Sequence, residues 1–217
     1  MRQAFAHALH HARHRSAFGK LLVDQPLMRN VLADLAIESE AATRLMMRLA
    51  RAFDRRDEEE PFRRLAMPVA KYWVCKRAPA LVGEALECLG GNGYVEESIL
   101  PRLYRETPLY SIWEGAGNVN CLDVLRAISK DPRCVDAFLA ELGDRRLTAY
   151  VEPALAKPSE ADARRLTQRL AVALQASLLL RHSTTAVADA FLASRLTEGS
   201  GPFGALPTGD FAKILDR

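Results

Sequence analysis

Residues 26–53 read PLMRNVLADLAIESEAATRLMMRLARAF, and this stretch sets the fold class. Its apolar side chains Leu27, Val31, Leu35, Leu45, Met46 and Leu49 recur at steps of three and four, with Arg and Glu between them. That is the period of a helix with one buried face. Pro26 takes a first-turn position behind Asp24, where its missing N–H is no loss and its fixed φ favours the helix. The charged run RRDEEEP (55–61) breaks the pattern, and Phe62, Leu65, Val69, Trp73, Leu81, Val82 and Leu86 carry a second long helix up to Gly90. Pro68 and Pro79 fall inside it and predict kinks, because each removes a donor and crowds the preceding turn.

Beyond it, Gly90, Gly91, Asn92 and Gly93 end the second helix, since Gly and Asn tolerate left-handed dihedrals. Shorter helical pieces are expected around Pro101–Arg105, Asn118–Ile128 and Val135–Leu142. Residues 151–159 hold Pro153 and Pro158 and read as a connector, dividing the chain into domains 1–150 and 151–217. A third apolar helix is expected from Ser159 to His182 and a shorter one from Thr185 to Leu196. TEGSGPFGALPTGD (197–210) is a Gly/Pro loop before a terminal helical turn. No segment alternates with period two for long enough to be a strand, so the expected fold is all-α, a helical bundle. Towards the other end, Ala4, Phe5, Ala8 and Leu9 read as the middle of an amphipathic helix with no N-cap before it. The chain is therefore expected to begin mid-fold.

The composition supports a soluble globular protein: 217 residues, 49% of them hydrophobic, with 30 Lys+Arg against 27 Asp+Glu. A net charge of +3 is too small by itself to imply nucleic-acid or membrane affinity. No run approaches the ~20 apolar residues of a membrane helix, and MRQAFAHALHHARHR has no signal-peptide core. A cytoplasmic, non-membrane protein is expected. Cys75, Cys88, Cys121 and Cys134 are too widely spaced for a CxxC motif and too few for a disulfide scaffold, so free thiols are expected.

Chemistry concentrates in LYRETPLYSIWEGAGNVNCLD (103–123), where Glu114 stands between Trp113 and Gly115. A carboxylate held against an indole loses hydration, and its pKa rises towards the range of a general base for a weak carbon acid. Alternatively, Glu114 caps the helix starting near Asn118 or is simply solvated. The turn Gly90–Gly93 either lets a flat or phosphorylated ligand approach the backbone or merely stops a helix. His7, His10, His11 and His14 share one helix face, a geometry open to a metal ion, but no carboxylate or cysteine completes a site; a solvated face is the alternative, and no metal is expected. The pairs Arg55/Arg56, Arg63/Arg64, Arg145/Arg146 and Arg164/Arg165 either gather into a phosphate-binding surface or are ion-paired separately.

Taken together, RSAFGKLLVDQP, ALECLGGNGY and LPRLYRETPLYSIWEGAGNVNCLDVLR resemble, in order and spacing, the C-terminal helical domain of the acyl-CoA dehydrogenase superfamily. The spelling LGGNGYVEES, PRLYRE and SIWEGAGN is closest to its AidB branch, associated with adaptive-response alkylation protection. The motifs cover residues 1–128; the tail resembles the helical region appended in that branch. The resemblance implies a four-helix C-terminal bundle with an appended tail, FAD as cofactor, an acyl-CoA thioester as substrate and a homotetramer or homodimer. It implies Glu114 as the base taking the substrate's α-proton and Gly115 as the residue whose backbone lies along the thioester. Cofactor contacts implied in the same way are Arg15, Phe18, Gln25, Gly90, Gly91, Ala116 and Asn118. Ala17, Ala116 and Glu87 depart from the family's usual residues, and Gln25 lies one position closer to Phe18 than usual. Arg126 matches a position also basic in the family, either part of a positive channel or an ordinary surface arginine.

The expected function is therefore the C-terminal part of a flavin-dependent α,β-dehydrogenase of acyl-CoA thioesters, truncated and inactive in isolation. The alternative is a DNA-associated protective protein with vestigial dehydrogenase chemistry.

Overall fold

A computed structural model describes residues 1–196, 203, 206 and 210–216. Among these the chain forms α1 (Arg2–His14), a hairpin of β1 (Ser16–Ala17) and β2 (Lys20–Leu21), and a 3-10 turn (Leu22–Asp24). There follow α2 (Pro26–Asp54), α3 (Glu60–Glu87), α4 (Gly91–Tyr94), α5 (Leu100–Tyr110), α6 (Gly117–Lys130) and α7 (Arg133–Leu142). The last elements are α8 (Arg145–Leu155), α9 (Ala163–His182), α10 (Thr185–Arg195) and α11 (Ala212–Leu215). The fold is all-α, as expected, with the terminal helical turn in place. Most of the expected Gly/Pro loop at 197–210 lies outside the described residues.

The chain divides into two compact units, one of residues 1–40, 77–110 and 185–217, the other of residues 41–76 and 111–184. Neither coincides with the sequence segments 1–150 and 151–217. In the first unit α1 buries Ala4, Ala8 and Ala12 at four-residue steps, and α10 buries Val187, Ala188 and Phe191. Gly83 of α3 leaves room for the Tyr104 ring of α5; a methyl there would sit 3.3 Å from it. The same unit holds an ionic cluster that the sequence conceals. Asp34 and Glu38, one turn apart on α2, are each 1% exposed. Arg195 of α10 donates to both, and Arg77 of α3 reaches Glu38 at 3.0 Å.

The second unit is organised on α9, which is buried without a break from Leu170 to Leu179 and packs on α6, α7 and α8. Trp73 Nε1 donates to Gln175 at 2.9 Å, and Ser177 Oγ donates to the Leu142 carbonyl at 2.7 Å. Arg48 bridges Glu59 at 2.6 Å and Glu141 at 2.7 Å while lying over the Phe62 ring at 4.1 Å. Arg181 meets Glu141 from its other side at 2.6 Å.

Two local expectations need correction. The stretch 151–159 is not a connector throughout: α8 runs to Leu155 with Pro153 inside its C-terminal part. Buried Leu147 and Val151 hold this helix to α9, outweighing the one hydrogen bond that Pro153 removes. The third apolar helix starts at Ala163, not Ser159, because Ser159 Oγ and Asp162 bond each other (3.0 and 3.2 Å) in a local turn. Pro68, which is buried, and Pro79 both lie within α3, which runs on through them.

Two carboxyls of the second unit make stability sensitive to acid. Burial alone would raise Glu141, but hydrogen bonds from Arg48 and Arg181 reverse this and hold it below its usual range. The bidentate Arg64 guanidinium, 2.8 Å from each oxygen, holds Asp123 below its usual range despite some burial. Groups depressed in the folded state stabilise it above their unfolded pKa values, about 4, and lose that contribution as pH falls through the folded values. The urea midpoint is expected to fall on acidification below about pH 4, and to fall less in the paired variant Glu141→Gln/Asp123→Asn. An unchanged slope in that variant would assign the acid sensitivity elsewhere.

Candidate functional site

The sequence motifs fold into three turns, and their backbones are unusual where the sequence singled residues out. Among the described residues the two non-glycine positions with positive φ are Phe18 (54°) and Glu114 (55°). A left-handed non-glycine residue costs on the order of 1–2 kcal/mol, so such positions point to a constraint beyond packing.

The first turn is the tip of the β1–β2 hairpin, too short for its period to register in the sequence. Ser16 pairs with Leu21 and Ala17 with Lys20, leaving Phe18–Gly19 as a two-residue loop with φ of 54° and 82°. Positive φ at both central positions matches the right-handed twist of a hairpin. Phe18 is consequently thrust outward, 97% exposed. Gln25 Nε2 donates to the Ala17 carbonyl at 3.0 Å and so braces the loop that carries Phe18. Arg15 is exposed at the end of α1, and its guanidinium has no partner among the described residues.

The second turn follows α3. Gly90 takes φ 59°, and a side chain at either Gly90 or Gly91 would meet nothing within 4 Å, so the backbone there is open to a ligand. Gly93 instead approaches the Leu86 carbonyl so closely that a methyl group could not be accommodated. Leu89 lines a cavity together with Arg15. The first and second turns are thus brought together within one unit.

The third turn belongs to the other unit and carries Glu114, Gly115 (φ 101°), Ala116 and Asn118. Glu114 is exposed and has no hydrogen-bond or ion-pair partner among the described residues. The expected dehydration by Trp113 is absent, because the indole is itself 60% exposed. Nor does Glu114 cap the next helix: the N-cap of α6 is Ala116, whose methyl group offers no acceptor. Ala116→Ser is expected to stabilise the chain by about 1 kcal/mol through a hydroxyl–N–H bond, measured by urea unfolding. A neutral or destabilising result would show that the first turn of α6 is already satisfied. Asn118 Oδ1 accepts from Arg164 Nε at 2.8 Å.

Asn120 was not among the residues singled out by sequence. Its Nδ2 donates to the Gly115 carbonyl at 2.7 Å and to the Ala116 carbonyl at 3.1 Å, tying the left-handed turn to α6. The available signal was its place one helical turn after Ala116, within reach of those carbonyls. Beside it, a crevice too narrow for water runs past Gly115 and Gly117 to Tyr72, Lys76 and Cys75.

In three of the four arginine pairs one member is held in an ion pair. Arg64 pairs with Asp123, Arg146 with Asp144 and Arg165 with Asp162. Arg126 is held by Asp123 at 3.1 Å. All four cysteines are free, and burial, then Glu84 and Glu87, push the Cys88 thiol up to about 12. No helix among the described residues is long and apolar enough to cross a membrane, and no metal-binding group of His, Cys, Asp or Glu occurs among them.

This architecture is shared with known proteins. The family model for the acyl-CoA dehydrogenase C-terminal domain matches residues 1–129. AidB of Escherichia coli (strain K12) is 45% identical over 201 residues, covering 88% of this chain and 37% of that protein. Acyl-CoA dehydrogenase family member 11 of Caenorhabditis elegans is 35% identical over 144 residues, 64% of this chain and 23% of that protein. The solved structure of C. elegans ACDH-11 in complex with C11-CoA superposes with a TM-score of 0.76 at 25% identity, covering 92% of this chain and 40% of that one. The chain spans well under half the length of these relatives. With its helices, its left-handed Glu114–Gly115 turn and its matched segment together, this chain belongs to the acyl-CoA dehydrogenase family, whose C-terminal domain it carries.

Proposed function

We propose that this chain is the C-terminal part of a flavin-dependent oxidoreductase that dehydrogenates an acyl-CoA thioester between its α and β carbons, with Glu114 as the base. The observation carrying the reading is Glu114 itself: a carboxylate at φ 55°, exposed, unpartnered among the described residues and followed by a glycine at φ 101°. A base must reach its proton unobstructed, and an ion pair would hold it in its charged form and weaken it. Glu114 accepts the proton from the α carbon through a carboxylate oxygen. Gly115, lacking a side chain, lets the thioester lie against the backbone. Exposed Ile112, Trp113 and Val119, 61%, 60% and 55% accessible, supply apolar surface next to the carboxylate for an acyl chain and for exclusion of water.

The chain's own residues fit the diphosphate and adenosine arm of FAD. Arg15 offers an unpartnered guanidinium, Phe18 an exposed ring for stacking, and Gly90 and Gly91 an unobstructed backbone. Gln25 steadies Phe18 through Ala17. Ala116 lacks the hydroxyl with which the family usually holds the flavin, and Asn118 is engaged by Arg164, so these two contribute backbone and scaffold. Bound FAD supplies the acceptor for the hydride that leaves the β carbon. Oligomerisation of the complete protein accords with an exposed Phe18, whose ring is free to meet a partner surface.

The experiment is to purify the complete protein and follow flavin absorbance on adding acyl-CoA thioesters. Bleaching of a retained yellow chromophore is expected, whereas a colourless protein that takes up no added FAD would remove the reading.

A further inference from the structure

We propose that Asn120 is a positioning residue for Glu114: its side-chain amide locks the glycine hinge on which the carboxylate would otherwise swing. The inference deepens the dehydrogenase reading and rests on it for the reaction, though not for the geometry. Gly115 directly follows Glu114 and stands at φ 101°. Glycine has more backbone states than any other residue, so a carboxylate next to one is loosely placed unless something outside the hinge removes that freedom. Glu114 adds to the difficulty, because its own φ of 55° is disfavoured for an L residue and relaxes wherever the chain permits. The Glu114 side chain gives no hold of its own, being exposed and without a partner among the described residues.

The lock comes from the first turn of α6. Gly115 lies before this helix, so its carbonyl has no place in the helical ladder, and the half-buried Asn120 reaches back to it with an Nδ2 donor at 2.7 Å. The same nitrogen donates to the Ala116 carbonyl at 3.1 Å. Both partners are carbonyl oxygens, which cannot donate, so the amide must face them with its nitrogen. Its two hydrogens serve the two bonds at once. Together they fix the peptide groups on both sides of the Ala116 Cα, and with them the ψ of Gly115. The Ala116 carbonyl also accepts from the Asn120 backbone N–H at 3.1 Å, so backbone and side chain of one residue hold the same junction. Val119 closes the hinge from another side: a Cβ on Gly115 would lie 3.3 Å from Val119 Cγ1 and 3.5 Å from Asn120 Nδ2. Gly117, which is buried, seats the start of α6 against the Tyr72 ring of α3, where an added methyl would lie 3.4 Å away. The lock is thus attached to a long helix and not to a loop. A serine at 120 carries one hydrogen and reaches only the carbonyl four residues back, and an aspartate carries none at neutral pH and repels both oxygens.

The test grades the donor at position 120 in the complete protein, with turnover of an acyl-CoA thioester and exchange of its α-hydrogen with deuterated water as readouts. Asn120→Asp, which keeps the shape of the side chain, is expected to lower kcat by about tenfold to a hundredfold, the usual effect of a misplaced reacting group. KM and flavin content should stay unchanged, and α-hydrogen exchange should slow in step with kcat. Asn120→Ser should fall between Asn120→Asp and the unaltered protein, which also keeps the test decisive if the aspartate variant folds poorly. A second readout needs no activity: backbone amide order parameters measured on this chain should drop from Trp113 to Ala116 in Asn120→Asp and less in Asn120→Ser. Unchanged kcat in both variants, kcat falling only together with flavin content, or an equally ordered turn in both variants would overturn the proposal. The two readings fail separately. An inactive Glu114→Gln beside fully active Asn120 variants sinks this inference alone, whereas a fully active Glu114→Gln with a turn loosened by Asn120→Asp removes the base assignment while the lock stands.

Discussion

Glu114→Gln in the complete protein is expected to lower acyl-CoA oxidation by roughly a hundredfold to ten-thousandfold, the usual worth of a positioned base. The amide keeps the size and hydrogen-bonding capacity of the carboxylate but cannot take the α-proton. Two readouts separate chemistry from damage: flavin content should be unchanged, and exchange of the substrate's α-hydrogen with deuterated water should be lost together with turnover. Full activity in this variant removes Glu114 from the mechanism. A second substitution probes why a glutamate is tolerated at φ 55° at all. Glu114→Gly is expected to stabilise the isolated chain, by up to about 1 kcal/mol, because glycine enters the left-handed region without a Cβ penalty. A more stable but inactive variant would mean that backbone strain is retained for function. If Glu114→Gly destabilises instead, the turn is held by contacts of the Glu114 side chain, and the exposed, unpartnered carboxylate described above is the wrong picture.

Arg195→Met is expected to cost about 3–5 kcal/mol, the usual penalty for leaving a buried charge without its partner. Asp34 and Glu38 are each 1% exposed and Arg195 is 8% exposed, so water cannot take over the lost hydrogen bonds. Arg77 still reaches Glu38, whereas the ion pair of Arg195 with Asp34 is lost. A double-mutant cycle in urea with Asp34→Asn measures this: strong coupling is expected, because the two residues belong to one network. Additive effects would mean that Arg195 acts through its hydrocarbon stem alone. The outcome matters for the fold, since this cluster is the described polar link between α10 and the helices α2 and α3.

This cluster also shows where reading the sequence reaches its end. Asp34 and Glu38 interrupt the apolar pattern of residues 26–53 like ordinary surface charges, and nothing in their spacing distinguishes them from Arg29 or Glu40. Burial of a charge is decided by what arrives from elsewhere in the chain, here Arg195, more than 150 residues away. Arg15 and Arg13 illustrate the same point at short range: two residues apart, one is held by the C-terminal turn and the other faces a cavity.

What the sequence determined alone were features set by local physics. The helix over 26–53 follows from its period and from Pro26, the left-handed Gly90 from the absence of a Cβ, and the all-α class from the want of any alternating segment. The motifs around Phe18 and Glu114 likewise named both non-glycine residues that the backbone holds at positive φ among the described residues. Tertiary structure decided the rest: the survival of α8 through Pro153, the exposure rather than dehydration of Glu114, the brace supplied by Asn120 and the company of each arginine. These depend on which distant surfaces meet, and the free energy of burying a group, unlike a helical period, is not a property of its neighbours in sequence.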